Sequence, residues 1–372
     1  MSQIKNYVER DGKIYARITY RDSNGKRRQI WRRAESKTDA KEISFKLEQD
    51  LDKFGSESFE HELTVAEYLD RWLETAKQSV SERTHNDYKN LLKLYVRPML
   101  ETKRLTKVRP LDVQAVVNEM RDRKLSAKTV RYAHMVLSRA FKQAVRWNLT
   151  TSNPASFVEL PKYVRPEMQA LSPEQAKLFL KKAAKDEHGL VFELALVSGM
   201  RPQEYLGLQW RDVDLKAGTV VIRRSLVRRV KGGGWFFAEP KTPKSRRTIP
   251  LPFYLMRKLQ SHKGKQAEWK LKRGAKYQNN ELVFATPKGT PLSMRNLERR
   301  HFKPLLVELP DIRLYDLRHT CATLLLAAGE NPKVVSERLG HASIVLTLDT
   351  YSHVLPTMQK SATERLTAIL RN

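Results

Sequence analysis

Five residues in the second half of this 372-residue chain are of types that act on phosphate esters. Arg201, in "SGMRPQEYLGLQW", sits in a tight turn just before a helix, and Glu204 lies three residues on, on the same helical face, placed to hold its guanidinium. Lys241, in "EPKTPKSRRTIPL", stands at the turn into a strand, and Arg318, in "LYDLRHTCATLLLAAG", opens a helix whose other face is core. In "NPKVVSERLGHASIVLTLDTYSHV", Asn331 caps a helix, Pro332 starts it and Gly340 ends it, so His341 lands in the turn and Tyr351 follows on the next helix. Guanidinium groups are permanently charged planar forks that match phosphate oxygens, and a tyrosine can supply an oxygen nucleophile. Taken singly, each has a plainer explanation: an Arg–Glu pair at a helix start, a solvated lysine, a capping histidine, a buried tyrosine.

The charge balance raises the weight of the set. Lysine and arginine total 70 against 41 acidic residues, a formal +29. An ordinary acidic metabolic enzyme is therefore not the default, and a polyanion, most commonly nucleic acid, is the expected partner. The single cysteine, Cys321, excludes an intrachain disulfide and a Cys-based zinc site. The histidines are scattered in sequence, no carboxylates have nuclease spacing, and "GGG" at 232–234 lacks the Lys-Ser/Thr of a phosphate loop. No cofactor and no metal are expected. The start, "MSQIKNYVERDGK", has no apolar leader, and no apolar run approaches the roughly 18 residues of a membrane span, so a soluble intracellular protein without membrane contact is expected.

These residues need a frame, and the patterning suggests three domains. In residues 1–56, "KIYARITYR", an Asn-Gly turn and "RQIWRR" read as a hairpin, with residues 4–9 as a third strand and a helix over 38–54. Arg17, Arg21, Arg27, Arg28, Arg32 and Arg33 crowd this ribbon, which suits a DNA groove. After a linker at 57–63, residues 64–160 read as four helices. Thr64 and Glu67 form a capping box, the second helix stops before Pro98, the third runs from about Leu111 to Arg121, and the fourth carries Lys128, Arg131, Arg139, Lys142 and Arg146 on one side. A linker at 161–169 leads to residues 170–372, opened by the cap Ser172-Pro173 with Gln175, helical to Gly199, β-rich to Pro250 and helical thereafter. The expected fold class is multidomain: a small α+β unit with a three-stranded sheet, an all-α bundle, and a mainly-α domain with a small antiparallel sheet. The triple glycine marks a hairpin tip expected to order on DNA.

The ordered set Arg201, Lys241, Arg318, His341, Tyr351, with the strings "LRHTCATLLL", "LGHAS" and "TLDTYSHV", closely resembles the tyrosine recombinases, or phage-integrase family. The resemblance covers essentially the whole chain: the β unit looks like the arm-binding domain of lambda-type integrases, 64–160 like the helical core-binding domain and 170–372 like the catalytic domain. It implies that Tyr351 attacks DNA to leave a 3′-phosphotyrosyl enzyme, that Arg201, Arg318 and His341 hold the phosphate, and that Lys241 protonates the leaving 5′-oxygen. Where the family often has a histidine, three residues before the second arginine, this chain has Tyr315, which can touch phosphate but is no base near neutral pH. His319 is expected to be structural, because neighbouring helix positions face different ways. Tyr315 and Tyr205 are the rival nucleophiles. The implied partners are double-stranded DNA at core and arm attachment sites, three further copies in a tetramer, a host bending factor and a directionality factor, in the cytoplasm and nucleoid of a bacterium. The tail, with Met358, Ala362, Leu366 and Ile369 on one side, is expected to dock on a neighbouring subunit. A type IB topoisomerase, a non-enzymatic DNA-binding regulator and an RNA-binding protein are the competing classes.

Overall fold

The structure, a computed structural model, describes residues 7–21, 25–54, 63–164, 168–229, 233–239, 245–351, 363–364 and 366–371. The chain divides into two compact units, Met1–Arg165 and Pro166–Asn372.

In the first unit, β1 (Tyr7–Arg10), β2 (Lys13–Arg21) and β3 (Arg27–Ala34) form an antiparallel sheet in that order. The period-two alternation of β2 turns Ala16, Ile18 and Tyr20 to the buried side, where Ala16 and Ala34 pack with Ala40 of α1 (Lys37–Phe54). The opposite face pairs Tyr15 with Arg33, Arg17 with Trp31 and Arg21 with Arg27. Residues 22–24 of the Asn-Gly turn lie outside the described residues.

Four helices follow: α2 (Val65–Ser79), α3 (Glu82–Leu91), α4 (Pro110–Asp122) and α5 (Ala127–Arg146). Thr64 and Glu67 cap α2 reciprocally. The bundle core joins Trp72, stacked on Tyr88 at 5.7 Å, to Val130, Leu137 and Phe141 of α5. One boundary differs from the expectation. The second helix does not stop before Pro98: α3 continues as a π-helical turn, Leu92–Val96, into Arg97–Leu100. Pro98 falls in the first turn of this last segment, where the wider π-turn has already interrupted the regular ladder, so its missing N–H is tolerated.

In the second unit, α6 (Pro173–Ala183) starts at the Ser172–Gln175 capping box and packs with α7 (Gly189–Ser198), an almost wholly apolar helix. The short α8 (Pro202–Leu206) leads to β4 (Val213–Asp214), β5 (Thr219–Ile222), β6 (Ser225–Arg228), β7 (Trp235–Ala238) and β8 (Arg247–Pro250). The small antiparallel sheet expected here is present as β4-β5-β8, and among the described residues a two-stranded β6-β7 hairpin accompanies it. The ladder breaks at Arg223 and Arg224, whose guanidinium groups both turn to the buried Asp212. The long α9 (Phe253–Arg273), a π-helical segment Leu297–Phe302, α10 (Asp316–Ala327), α11 (Pro332–Leu339) and α12 (Ile344–Tyr351) complete the unit, and α10 packs on α7.

Candidate active site

Two left-handed glycines deliver the charged groups. Gly199 (φ 67°) ends α7, donating its N–H to the Ala195 carbonyl. A β-carbon there would come within 2.8 Å of Leu339 and 3.2 Å of Cys321 Sγ, so the turn fits only glycine. It releases the chain into Arg201, the residue before Pro202 at the first position of α8. Gly340 (φ 67°) ends α11, with its N–H on the Glu337 carbonyl and the His341 N–H on the Ser336 carbonyl, a Schellman closure.

Glu204, only 4% exposed, organises the arginines. Its carboxylate accepts from the Arg201 N–H at 2.9 Å, from Arg201 Nη1 at 2.8 Å, and from Arg247 Nη1 and Nη2 at 3.2 and 2.9 Å. Burial alone would raise its pKa; the hydrogen bonds and charge of Arg247, then Arg201, outweigh that and hold it below the usual carboxylate range. Arg247 also donates Nε to the Arg338 carbonyl at 2.6 Å, so a cation meets the carbonyl end of α11.

Arg318 is 1% exposed. Nη1 donates to the Gly199 carbonyl at 2.8 Å, whereas Nη2 is buried and has no partner among the described residues. Burial, then the charge of Arg201, pulls its pKa down to about 10, so it remains a cation at neutral pH. A buried donor left unmatched is unfavourable in isolation, and an anion would satisfy it. His341 is half-buried, with Nδ1 2.8 Å from the hydroxyl of the buried Thr347. Burial, then Arg318 and Arg201, lowers its pKa to about 4, so the ring is neutral at pH 7.

Tyr351 ends α12 with its ring 1% exposed, packed in a cluster with Ala322, Leu326, Val335 and Leu339. Burial raises its pKa, opposed in part by Arg318. Its hydroxyl lies 2.8 Å from His319 Nδ1. His319, expected to be structural, is thus within hydrogen-bonding reach of the Tyr351 hydroxyl. Its side chain leaves α10 in a different direction from Arg318, and Tyr351 of α12 is what it meets there. Tyr315 is 38% exposed with its ring 5.3 Å from that of His319, and Tyr205 is fully buried with no partner for its hydroxyl among the described residues. Lys241 lies outside the described residues, as do Gly232 of the triple glycine and Met358 and Ala362 of the tail. Leu366 and Ile369 are exposed.

One residue, Arg247, and one contact of a residue already weighed, that of His319 with Tyr351, escaped the sequence reading. Arg247 had a usable signal, since β8 alternation puts it on the same face as the buried Ile249; His319 had none, because only the packing of α12 reveals it. Away from this site, His188 and His301, distant in sequence, meet edge to face with ring centroids 4.4 Å apart, so the scattered histidines are not all scattered in space.

The basic residues of the first unit divide. Arg17, Arg21 and Arg27 share the sheet face away from α1, beside Trp31, whereas Arg28, opposite Tyr20, points to the other face. Lys128, Arg131 and Arg139 line one exposed side of α5; Arg131 donates to the Pro161 carbonyl and Arg139 to the Tyr88 hydroxyl. Among the described residues no helix is long and apolar enough to cross a membrane.

Residues 169–358 match the phage integrase family, and residues 64–121 match the N-terminal SAM-like domain of phage integrases. The chain is 29% identical to a "Tyrosine recombinase XerC-like" protein of Caldanaerobacter subterraneus subsp. tengcongensis over 98% of this chain and 99% of that one. It is 31% identical to the ICEBs1 integrase of Bacillus subtilis, over 66% of this chain and 67% of that one. Its fold is similar to that of a Tn1549 transposon integrase fragment solved in complex with transposon right end DNA (TM-score 0.69, 22% identity, 82% of this chain and all of that one).

Proposed function

The chain belongs to the phage integrase family, and from that premise we propose how it cuts and rejoins DNA. It is a site-specific recombinase. The observation that carries the mechanism is the buried Arg318 with its unmatched Nη2, beside Arg201 and a neutral His341. That group of donors, with one carboxylate balancing two of the cations, suits a single phosphodiester held from several sides.

In the proposed reaction Tyr351 Oη attacks the phosphorus and the bond to the 5′-oxygen breaks, leaving a 3′-phosphotyrosyl enzyme and a 5′-hydroxyl. His319 Nδ1, already 2.8 Å from the phenol, takes its proton. Arg201, Arg318 and His341 through Nε2 stabilise the charge that builds on the non-bridging oxygens. Lys241 gives a proton to the departing oxygen, and acid catalysis of this kind contributes roughly 10²–10⁴-fold. Glu204 positions Arg201 and Arg247; Tyr315, part-exposed beside His319, contacts phosphate. Attack by another strand's 5′-hydroxyl reverses the step and joins new partners.

The finer assignments are of one piece with this. The sheet of residues 1–56 binds arm-type sites through Arg17, Arg21 and Arg27; residues 64–160 grip the core site through Lys128, Arg131 and Arg139; and residues 170–372 catalyse. The exposed Leu366 and Ile369 dock on the next subunit of a tetramer. The enzyme integrates and excises a prophage or integrative conjugative element in a bacterial cytoplasm, with a bending factor and a directionality factor; the likeness to the ICEBs1 integrase supports this over a topoisomerase.

The test is covalent trapping on a nicked duplex carrying a junction of the encoding element, in EDTA. An SDS-resistant adduct that is lost in Tyr351→Phe is expected. An adduct that survives this substitution transfers the role to another residue, Tyr315 first, and no adduct despite tight binding favours a regulator. His319→Ala keeps the adduct but slows its formation and changes its pH profile; an unchanged profile removes His319 from proton transfer.

A further inference from the structure

Outside the proposed active site, the turn between α6 and α7 and the π-helical segment Leu297–Phe302 bring four chemically matched side chains together. His301 Nε2 lies 3.7 Å and His188 Nε2 3.8 Å from the same oxygen of Glu187, and the ligating atoms of these three residues fall within 4.8 Å of one another. Asp186 faces the other nitrogen of His301, with Oδ2 3.1 Å from Nδ1. An ionised carboxylate only accepts hydrogen bonds, so Nδ1 carries the hydrogen and the neutral ring presents a bare Nε2. That is the orientation in which a histidine ligates a metal while a second carboxylate fixes its tautomer.

The frame around these groups is tightly built. Asp186 Oδ1 accepts the His188 N–H at 2.8 Å, and the Asp186 carbonyl accepts the Gly189 N–H at 3.0 Å. A β-carbon on Gly189 would lie 1.8 Å from the Ala183 carbonyl oxygen, so the turn is closed against α6 more tightly than any other residue allows. On the opposite side Phe302, next to His301, is fully buried against Phe179 of α6 and Phe192 of α7, with ring centroids 5.6 and 5.5 Å away. The two imidazoles are thus held by separate elements that the same core locks together. Glu187 is exposed and can adjust.

We infer that Glu187, His188 and His301 form a binding site for a zinc-class divalent ion, with Asp186 supporting His301. Tetrahedral zinc, with bonds of about 2.0–2.1 Å, sets its ligands about 3.3–3.4 Å apart, so the two Glu187 contacts close by about half an ångström and the two histidine nitrogens, within 4.8 Å of each other, by up to about 1.5 Å. Two imidazoles and one carboxylate favour zinc and its borderline neighbours over magnesium or calcium, which take oxygen. Three protein ligands leave a fourth position for water. The site stands at the first turn of α7, and Arg201 follows the last; ten helical residues span about 15 Å. The ion therefore clamps the fold at the end of α7 remote from the proposed chemistry, rather than entering it.

The experiment uses the untagged full chain with Zn²⁺ alone, then Co²⁺ as a visible probe. One Zn²⁺ per chain is expected, and Co²⁺ should give the intense visible bands of a four-coordinate site. His301→Ala and His188→Ala should each weaken zinc binding by more than about 100-fold, and Asp186→Asn by about 10–100-fold. His134→Gln, outside the cluster, should leave it unchanged. Glu187→Gln alters an exposed side chain, so it keeps the test valid if a histidine variant fails to fold in EDTA. No zinc uptake by the wild type at micromolar concentration overturns the inference. So does one-to-one binding that persists in His301→Ala and Glu187→Gln.

Discussion

Replacing Arg318 by methionine should separate stability from catalysis. In the folded chain this guanidinium is 1% exposed, makes a hydrogen bond to the Gly199 carbonyl and leaves Nη2 unmatched. A pKa drawn from 12.5 to about 10 corresponds to about 3 kcal/mol against the charged form. Both folded and unfolded chains are cationic well below pH 10, so this cost is constant across neutral pH and gives no pH slope there. Methionine removes the charge with a similar apolar stem but strands the Gly199 carbonyl, which costs about 1–3 kcal/mol. The balance predicts that Arg318→Met, without DNA, is as stable as the wild type or more stable by up to about 2 kcal/mol. Urea unfolding of the two proteins at pH 7 measures this. Adduct formation on the nicked duplex, followed in a single turnover, should meanwhile fall by at least about 10²–10³-fold, the usual effect of losing a preorganised donor. A loss of more than about 2 kcal/mol in stability would refute the reasoning, because the guanidinium would then be a structural cross-link and not a donor held in reserve.

Three other outcomes follow from the same geometry. Lys241→Ala should slow cleavage roughly 10²–10⁴-fold on ordinary DNA, with most of the loss recovered on a substrate whose leaving oxygen is replaced by sulfur, which needs no acid; equal defects on both substrates would move the acid elsewhere. His341, with its pKa lowered from 6.5 to about 4, binds fewer protons folded than unfolded between those values; its contribution is complete above pH 6.5 and is lost as pH falls to 4, a fall of roughly 3 kcal/mol at most, so the stability difference between wild type and His341→Gln should narrow or reverse over that window in urea titrations. Glu204→Ala should cost about 3–5 kcal/mol in thermal or urea unfolding, since it leaves Arg247 buried without its carboxylate.

Local chemistry made much of this frame legible in the sequence. The caps at Thr64, Ser172 and Asn331 are contacts within a few residues, and each sits where its motif puts it. The alternation of β2 and the helical stripe of α5 needed only their own periods. What escaped depends on residues far along the chain. His319 meets Tyr351 from a helix that lies 32 residues away in sequence, Arg247 reaches Glu204 from another element, and His188 meets His301 through a core of three phenylalanines. Pro98 misled for a related reason: proline is a local stop signal, but a π-turn upstream removed the ladder it would have broken.

With Tyr351 as the proposed nucleophile, its burial would give the enzyme a form of latency. A duplex phosphorus cannot reach a hydroxyl whose ring is 1% exposed until the ring or its cover moves. Freeing it gives up about 2 kcal/mol of apolar contact and about 1 kcal/mol of hydrogen bond to His319. On the proposed reading, roughly one molecule in a hundred or fewer is armed at any moment away from its target. A net charge of +29 favours binding to DNA of any sequence. On the same proposal stray nicking is damped by that factor, and a correct site or a neighbouring subunit that repays those few kcal/mol would set the tyrosine free.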